Sequence, residues 1–521
     1  MNNKNKLLSS TIYIIIFSLI GKILGFLRES LIAAQFGATM ELDVFQLSQT
    51  AIAMVSSVIT ASIATTFIPV LQKVENVKGE NSKKIFTNNM ISIVSILSIF
   101  LMVTVYFSAP QITMLFTFNH TYNGFDLMQT LLILSIPTIL FSALAGIFTG
   151  YLQYNGKFAI VGAIAIPANI LNILYLIYSS NNSSIRGLTV ISTVSVLIQF
   201  IFLLPSAFRS GYRIIPVCDF RDKYVKQAVI LSAPVFISSS VDNINQIVNR
   251  AIALKMGEGS VAILNCANKM NTMIIGIFIM AITAVIFPVM SRSFGSNDIR
   301  KGKRVMNASI NLVLLLTIPA TIGLFILAKP IIDIAFLHGK FTEQNAMLTT
   351  STLRFYSISL ISLSIIAVLN RVYYSLSDTK TPFIVGVINV ILNISINILF
   401  AHRYGTKGLA AALSFSTTIA AIILFIVLRI KIGSLGTKSY IRTFIKSSIA
   451  SSFMGLFASV YYLMEYFIKF DTTKIKFITL IVIIFVSSLI YFTILYMLKV
   501  KEAKEFIYYI KKYIYSKSSL C

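Results

Sequence analysis

The sequence predicts an all-α polytopic membrane protein with about fourteen transmembrane helices. Its 521 residues are 56% hydrophobic and only 12% charged, whereas soluble domains carry about 25% charged residues. Apolar segments long enough to cross a bilayer follow one another from about Leu7 to Leu498. The linkers between them are mostly shorter than about 20 residues, so we expect no appended globular domain.

The length of each apolar segment predicts that it spans the membrane, because about 20 apolar residues cross the hydrocarbon core as a helix. The first segment is too long for the apolar region of a signal peptide and carries Lys22 and Arg28, so we expect it to remain as helix one. The predicted spans, each bounded to within a few residues, are 7–36, 42–72, 86–108, 127–150, 158–178, 187–206, 227–252, 260–290, 306–328, 344–370, 382–401, 408–428, 447–464 and 477–498.

The basic residues predict the orientation of these spans. With the N-terminus inside, 30 of the 44 Lys and Arg residues fall on the inner side, nine on the outer side and five within spans. The positive-inside rule therefore places both termini in the cytoplasm. Anionic headgroups beside short basic loops explain the net charge of +26 better than nucleic acid does. The basic tail, 499–521, is expected to lie on the inner leaflet, the alternative being a plain stop-transfer anchor.

An internal repeat predicts two lobes. Residues 151–175 match 373–400 at an offset of about 224, which pairs Asn169 with Asn393. Shorter matches pair 186–188 with 407–409 and 67–71 with 286–290, at offsets down to 219. These offsets span six helices, so two six-helix lobes of one orientation are expected, related by a pseudo-twofold axis along the membrane normal. Chance similarity among Ile-rich helices is the alternative.

The repeat divides the chain into four predicted parts. Parallel repeats of this kind are typical of transporters, in which the substrate binds between the two halves. Helices 13 and 14 are an addition to the repeated halves. The predicted parts are 1–206 (N-terminal lobe), 207–430 (C-terminal lobe), 431–498 (helices 13 and 14) and 499–521 (basic cytoplasmic tail).

Five cations lie inside the predicted spans and indicate a polar cavity. A cation in hydrocarbon costs about 2.5–3.5 kcal/mol on insertion scales, so these side chains are expected to line a cavity that an anionic ligand visits. Outside helix one, Lys269 is the strongest candidate for a cavity-lining cation, because it lies well inside helix eight. Arg250 and Arg354 lie nearer helix ends, where snorkelling explains them. The five are Lys22, Arg28, Arg250, Lys269 and Arg354.

Helix one carries the densest polar chemistry, in the stretch 21–38. At 100° per residue, Gly21, Gly25 and Arg28 share one stripe, and Lys22 and Glu29 lie on the adjacent one. The glycines allow another backbone or a bulky headgroup to come close. The planar fork of Arg28 suits bidentate phosphate contacts. The alternative is a structural Arg28–Glu29 pair satisfied by neighbouring helices.

Other polar residues suggest weaker candidates. Asp43 opens helix two, where a carboxylate is often an N-cap. Asn249, Asn389 and Asn393 offer oxygens for a cation, although interhelical hydrogen bonds are the commoner use of such amides.

Metal, cofactor and catalytic sites are not expected. The cysteines have no CxxC spacing and no neighbouring histidine, so no zinc site is indicated. Carboxylates in the spans are almost confined to Glu29, Asp43 and Asp242, and no HExxH, GxSxG or phosphate-binding glycine loop occurs. The sequence therefore favours a transporter over an enzyme.

Three stretches resemble one known family. They are GKILGFLRESLIAAQFGATMELDVF (21–45), VNRAIALKMGEGSVAILNCANKMN (248–271) with the later IFPVMSRSF, and YYSLSDTKTPFIVGVINVILN (373–393). They are similar to the MurJ/MviN lipid II flippases of the MOP transporter superfamily. The resemblance implies fourteen helices, two lobes around a cationic cavity, and a groove near helices 13 and 14 for the lipid tail. It implies a substrate site containing Arg28, Lys22, Glu29, Asp43 and Lys269.

The chain also departs from the family pattern. Lys22 and Lys269 stand where arginine is usual, which keeps the charge but loses the bidentate fork. An arginine frequent in helix two has no counterpart around 55–57, and the family's Glu-Gly-Ala-Phe reads TASI at 60–63. Some members carry carboxylates at a sodium site where this chain has Asn249, Asn389 and Asn393.

These observations favour a flippase for a polyprenyl-pyrophosphate-linked saccharide, lipid II first, working by alternating access. The alternatives are a flippase for another undecaprenyl-linked glycan, a multidrug exporter of the same superfamily, and a non-transporting scaffold. We expect lipid II and anionic membrane lipids as partners, no cofactor, no nucleic acid, a monomer, and the bacterial cytoplasmic membrane. Uncharged asparagines predict a weak sodium site or none, so membrane potential is the expected driving force.

Overall fold

The computed structural model describes residues 3–117, 123–179, 183–276, 290, 293–294, 298–468 and 472–500, with the side chains of 3–15 and 233–242 left out. Within these residues every regular element is helical, which confirms the all-α prediction. Two compact units make up the chain. Unit 1 comprises 1–262 and 338–342, and unit 2 comprises 263–337 and 343–521.

The helices follow the predicted spans and add several short segments. The first eleven are α1 (Asn3–Phe36), α2 (Met40–Lys78), α3 (Glu80–Phe107), α4 (Ala109–Thr117), α5 (Phe125–Ser135), α6 (Thr138–Tyr154), α7 (Phe158–Gly162), α8 (Ala165–Tyr178), α9 (Ile185–Arg209), α10 (Lys223–Leu254) and α11 (Ser260–Ile274). The others are α12 (Ile299–Ile326), α13 (Ala328–Phe336), α14 (Glu343–Ser375), α15 (Lys380–Tyr404), α16 (Thr406–Ile432), α17 (Thr437–Ala458), α18 (Val460–Ile468) and α19 (Thr473–Met497).

Eleven helical segments of the described chain are long and apolar enough to cross a membrane, and they coincide with eleven of the predicted spans. The other three predicted spans fall on α1, α10 and α11, the last of which leads into residues outside the described chain. The total of fourteen therefore stays a prediction. The tail from residue 501 onward also lies outside the described residues.

Three predicted spans (127–150, 158–178 and 447–464) are each divided between two helices, and the predicted outer loops 109–126 and 329–343 contain the short helices α4 and α13. The span 127–150 is divided between α5 and α6 at Pro137, which lacks the N–H that a continuing helix would need. The predicted outer loop 109–126 begins with α4, whose Phe116 is buried. Charge counting could not detect these helices, because they are too short to span a bilayer.

Unit 1 is built around α2. This helix packs against α3, α5, α6 and α10, and α1 packs against α7 and α8. Phe67 of α2 is completely buried against Gly150 of α6, where an added Cβ would lie 2.8 Å from the ring. A glycine at this position is what allows the Phe67 ring to pack so closely on α6.

Three polar contacts hold α10 to α2 along its length. Arg250 donates to the Gln46 carbonyl at 3.2 Å, and Asn243 donates to Ser57 Oγ at 3.0 Å. Lys73 donates to the Gln227 side chain at 3.0 Å. These contacts explain why α10 belongs to unit 1, whereas the repeat assigns helix seven to the C-terminal lobe. The predicted lobe boundaries come from the internal repeat, whereas the two units follow the packing of the helices. The lobe boundaries therefore stay predictions.

In unit 2, α14 packs against α12 and α16, α17 packs on α12, and α19 packs on α17. Tyr491 of α19 is buried, and its hydroxyl lies 2.8 Å from Ser447 Oγ and 2.6 Å from the Leu315 carbonyl. One hydroxyl thus links α17, α19 and α12. Predicted helices 13 and 14 are therefore an integral part of unit 2.

Hydrogen bonds inside each unit reproduce the sequence repeat. In unit 1, Asn172 of α8 donates to Ser195 of α9 at 2.6 Å. In unit 2, Asn393 of α15 donates to Ser416 of α16 at 3.4 Å. Both residues of each bond are separated from their counterparts by 221 positions. These two bonds relate Asn393 to Asn172, three positions from Asn169, and the pairing of Asn169 with Asn393 stays a prediction.

Candidate functional site

Arg28 lies on α1 with part of its guanidinium unengaged. Its Nη2 contacts Glu29 Oε1 at 2.6 Å, and the side chains of Arg28 and Glu29 are 29% and 12% exposed. The Arg28 Nε is buried and has no hydrogen-bond partner among the described residues. Because a guanidinium carries five N–H donors, the ion pair leaves donors for the oxygens of a ligand. Arg28 and Glu29 thus pair with each other on α1 without saturating Arg28, and their satisfaction by neighbouring helices stays an untested alternative.

The two glycines of helix one are covered by α8. Asn169 donates from Nδ2 to the Gly21 carbonyl at 3.0 Å. An added Cβ on Gly21 would lie 3.3 Å from Ala165 Cβ, and one on Gly25 would lie 3.6 Å from Asn169 Nδ2. A neighbouring helix, rather than a headgroup, therefore makes the close approach that the glycines permit. Lys22, on the adjacent stripe, is half-buried.

Asp43 is completely buried and accepts two main-chain hydrogen bonds. Its Oδ2 accepts from the Gly259 N–H and its Oδ1 from the Ala262 N–H, both at 2.7 Å. The N-cap of its own helix is Thr39. Asp43 therefore caps the start of α11, where a carboxylate is favoured by the exposed N–H groups and the helix dipole.

Three predicted outer loops meet near Asp43 through glycines with positive φ. We call Gly37, Gly259 and Gly339 the glycine junction; their φ angles are +65°, +80° and +58°. An added Cβ would lie 2.3 Å from the Ala38 carbonyl oxygen at Gly259, and 2.2 Å from the Ala34 carbonyl oxygen at Gly339. Only glycine tolerates both the backbone conformation and this approach. Sequence reasoning missed the junction, although the glycine in each of the three loops is its signal.

Lys269 lies on α11 in unit 2 and is half-buried. Arg28, Lys22, Glu29 and Asp43 all belong to unit 1. The structure therefore brings Arg28 together with Glu29, and it puts Lys269 on the helix whose first turn Asp43 caps. The joint action of these five residues on a substrate stays a prediction.

The three asparagines of the predicted cation site fall in different units. Asn249 belongs to unit 1, where it donates to Asn245 Oδ1 at 3.2 Å, while Asn389 and Asn393 belong to unit 2. Asn393 is completely buried, donates to Ser416 and accepts from Asn397 at 3.0 Å. Its amide is therefore engaged in packing α15 on α16. The Asn389 Oδ1 is buried without a hydrogen-bond partner among the described residues.

The remaining intramembrane cations have main-chain partners. Arg250 donates to Gln46 as described above. Arg354 donates from Nε to the Phe325 carbonyl at 3.2 Å, and its guanidinium carbon lies 5.8 Å from the centre of the Phe325 ring. A carbonyl near the end of α12 attracts a cation. Both arginines thus donate to carbonyls of neighbouring helices, and their snorkelling to the membrane surface stays a prediction.

Each unit also has a lysine–carboxylate pair that sequence reasoning did not identify. In unit 1, Lys83 is buried, donates to Glu75 at 3.1 Å and lies 5.4 Å from the centre of the Tyr154 ring. In unit 2, Lys431 pairs with Asp378 in the loop before α15. Partial burial opposes ionisation of Asp378, but hydrogen bonds from Lys431 and Thr381 outweigh it and lower the pKa of this carboxyl to about 2.

Among the residues that the structure describes, no group of three or more His, Cys, Asp or Glu side chains could hold a metal ion. On α1, the unpartnered Nε of Arg28 is an N–H donor of a cation, which suits an anionic oxygen ligand.

Comparison with known proteins identifies the family. The family model described as MurJ, lipid II flippase MurJ, matches residues 32–483. A protein of Vibrio cholerae serotype O1 named "Probable lipid II flippase MurJ" is 29% identical over 432 residues, which are 81% of this chain and 82% of that protein. The solved structure "Lipid II flippase MurJ, inward closed conformation" has a TM-score of 0.78 at 25% identity, covering 93% of this chain and 99% of that one.

A more distant structure shares the fold alone. An inward-facing multidrug resistance MATE transporter of the MOP superfamily has a TM-score of 0.69 at 15% identity, covering 80% of this chain and 96% of that one. The family model, in contrast, spans most of the chain, from residue 32 to residue 483, and so begins after Lys22, Arg28 and Glu29. The resemblance found in the sequence is thereby confirmed: the chain belongs to the MurJ family of lipid II flippases.

Proposed function

We propose that this multi-pass bacterial membrane protein translocates lipid II from the inner to the outer leaflet by alternating access. Membership of the MurJ family supports this proposal, as does the name of the Vibrio cholerae relative. The observation that carries it is Arg28, which pairs with Glu29 through Nη2 while its Nε has no hydrogen-bond partner among the described residues. In this proposal the protein moves its substrate and makes or breaks no covalent bond.

The proposed site assigns a separate role to each residue. Arg28 binds the pyrophosphate through its planar fork, and Glu29 fixes the orientation of that fork through the 2.6 Å contact. Lys22 and Lys269 add positive charge. Asp43 does not contact the substrate in this proposal, because both of its oxygens accept main-chain bonds at the start of α11; it positions the helix that carries Lys269.

An exporter of organic cations is the second candidate, since a MATE transporter shares the fold. Such a substrate would need accessible carboxylates. The carboxylates of the proposed site are already engaged, Glu29 with Arg28 and Asp43 with backbone N–H groups. An anionic substrate is therefore the better match to this chemistry.

We propose that membrane potential, rather than sodium, drives the cycle. The Asn393 amide is engaged with Ser416 and Asn397, and neutral amides bind a hard cation more weakly than carboxylates do. Return of an empty cationic site toward the cytoplasm is assisted by about 2.3 kcal/mol per charge per 100 mV. Transport in liposomes should respond to a potassium–valinomycin potential and change little when choline replaces sodium. Strong sodium dependence without a voltage effect would contradict this proposal.

The remaining proposals concern the surroundings of the protein. We propose that both termini lie in the cytoplasm, that anionic lipids contact the basic inner loops, and that the protein acts as a monomer without nucleic acid. The excess of inner Lys and Arg residues supports the first two points.

Complementation of a strain depleted of its own lipid II flippase tests the role of Arg28. We expect Arg28→Ala to abolish growth while the protein is detected in the membrane at the normal level. Arg28→Lys should restore growth only in part, because lysine keeps the charge and loses the fork. The matched control is Arg403→Ala, which removes an exposed arginine at the end of α15. Full growth with Arg28→Ala would remove this residue from the mechanism.

A further inference from the structure

The segment between α9 and α10 is fixed to α3 by two adjacent asparagines. We call this segment, residues 210–222, the strap. The buried Asn88 donates to the Arg213 carbonyl at 2.8 Å and accepts from the Ile215 N–H at 3.1 Å. The buried Asn89 donates to the Asp219 carbonyl at 3.0 Å and accepts from the N–H of the same residue at 2.7 Å. The strap is thus a fixed part of unit 1 and not a free linker.

One side of the strap is apolar and exposed. Ile214 is 74% exposed and Phe220 is 56% exposed, and Cys218 between them is exposed as well. The intervening Ile215 and Val217 are half-buried. This alternation is that of an extended chain with one edge against the protein and the other turned outward. Large apolar side chains fixed outside the helices in this way indicate a surface that contacts something other than water.

The strap itself holds two arginines and two aspartates, so its formal charge is zero, and the exposed Arg209 and Lys223 at the adjoining ends of α9 and α10 make the surface around it positive. Asp219 accepts from the Arg221 N–H at 2.8 Å, and Asp222 accepts from the Tyr224 N–H at 2.6 Å. Arg213 and Arg221 are exposed, and neither forms an ion pair with a carboxylate of the described chain. Two cations therefore flank an apolar edge.

We propose that the strap binds the anionic headgroups of the inner leaflet. Arg213 and Arg221 contact lipid phosphates, while Ile214 and Phe220 enter the boundary between headgroups and acyl chains. The strap joins the ends of α9 and α10 that the distribution of basic residues assigns to the cytoplasmic side. A positive surface with an inserted apolar edge is complementary to an anionic membrane surface. The proposal rests on the predicted orientation and not on the proposed transport activity.

The native Cys218 provides a probe on the apolar edge itself. The full-length protein, with Cys266 and Cys521 replaced by serine, is spin-labelled at Cys218 and placed in nanodiscs. One set of discs contains phosphatidylcholine alone, and the other contains phosphatidylcholine with phosphatidylglycerol. Collision with oxygen, which is enriched in the membrane, is compared with collision with a water-soluble nickel complex. We expect oxygen to dominate and the nickel collision rate to fall when phosphatidylglycerol is present.

Paired variants separate the arginines from general electrostatics. Arg213→Gln with Arg221→Gln should abolish the effect of phosphatidylglycerol on the nickel collision rate. Arg403→Gln with Lys407→Gln removes the same charge at an exposed site elsewhere and should leave the effect unchanged. A water-like label in both discs, as expected if a soluble acidic protein is the partner, would overturn the proposal. A phosphatidylglycerol effect that survives the Arg213/Arg221 double substitution would overturn it too.

Discussion

Replacement of Asp43 by asparagine should loosen the glycine junction by a predictable amount. The Asp43 side chain accepts from Gly259 and Ala262 at 2.7 Å, and a buried N–H left without an acceptor costs about 1–3 kcal/mol. Asparagine retains one acceptor oxygen but directs an NH₂ group at the other N–H. One N–H therefore loses its acceptor, and the fraction of molecules with an open junction should rise roughly 5- to 150-fold, since about 1.4 kcal/mol is a factor of ten.

Cysteine labelling measures this opening. Ser260, between the two bonded residues, is buried, and Ser260→Cys is nearly isosteric. In a background without the native cysteines, we expect Asp43→Asn to raise the rate at which an impermeant maleimide modifies this cysteine in intact cells. Glu41→Gln is the matched control, because Glu41 is an exposed carboxylate in the same helical turn. A rate within twofold of the parent would refute the capping role, provided that the variant is present in the membrane.

Three further predictions follow from packing, topology and titration. Gly150→Ala should lower the thermal stability of the purified protein by about 1–3 kcal/mol, because the Cβ meets the buried Phe67 ring; Gly146→Ala, whose nearest neighbour would be 3.8 Å away, should not. A cysteine at Asn123 in the predicted outer loop should react with the impermeant maleimide in intact cells, whereas one at Lys301 should not; the reverse pattern would invert the topology. Because the pKa of Asp378 is lowered from 3.8 to about 2, its ion pair stabilises the protein above about pH 4 and is lost as the pH falls through 2. The melting-temperature difference between the parent and Asp378→Asn should shrink over that interval, and a pH-independent difference would contradict the assignment.

Long apolar segments and their repeat could be predicted because both depend on the length and order of residues within the sequence, not on contacts between distant residues. A span must be long enough to cross hydrocarbon, so eleven predicted spans have matching helices. Repeated halves must repeat their internal bonds, as Asn172–Ser195 and Asn393–Ser416 do. The register of the repeat near Asn169 stays a prediction, because the similarity of apolar residues does not distinguish Asn169 from Asn172, which lie three positions apart.

The partners of individual polar residues were less predictable, because they depend on residues far away in the sequence. Asp43 reads as an N-cap of its own helix, yet its partners are more than two hundred positions distant. Gly21 and Gly25 were expected to admit a close neighbour, but the sequence could not say that the neighbour is α8. Arg28 was selected for its charge inside a span, and the ion pair with Glu29 follows from their adjacency on α1.

Transport of fluorescent lipid II by purified protein in liposomes tests directly whether Arg28, together with Lys22 and Lys269, binds the pyrophosphate during translocation. We expect the parent protein to move fluorescent lipid II between leaflets, Arg28→Ala to be inactive, and Arg403→Ala to match the parent. Transport by Arg28→Ala at the parental rate, or transport of an organic cation in place of lipid II by the parent, would contradict this expectation.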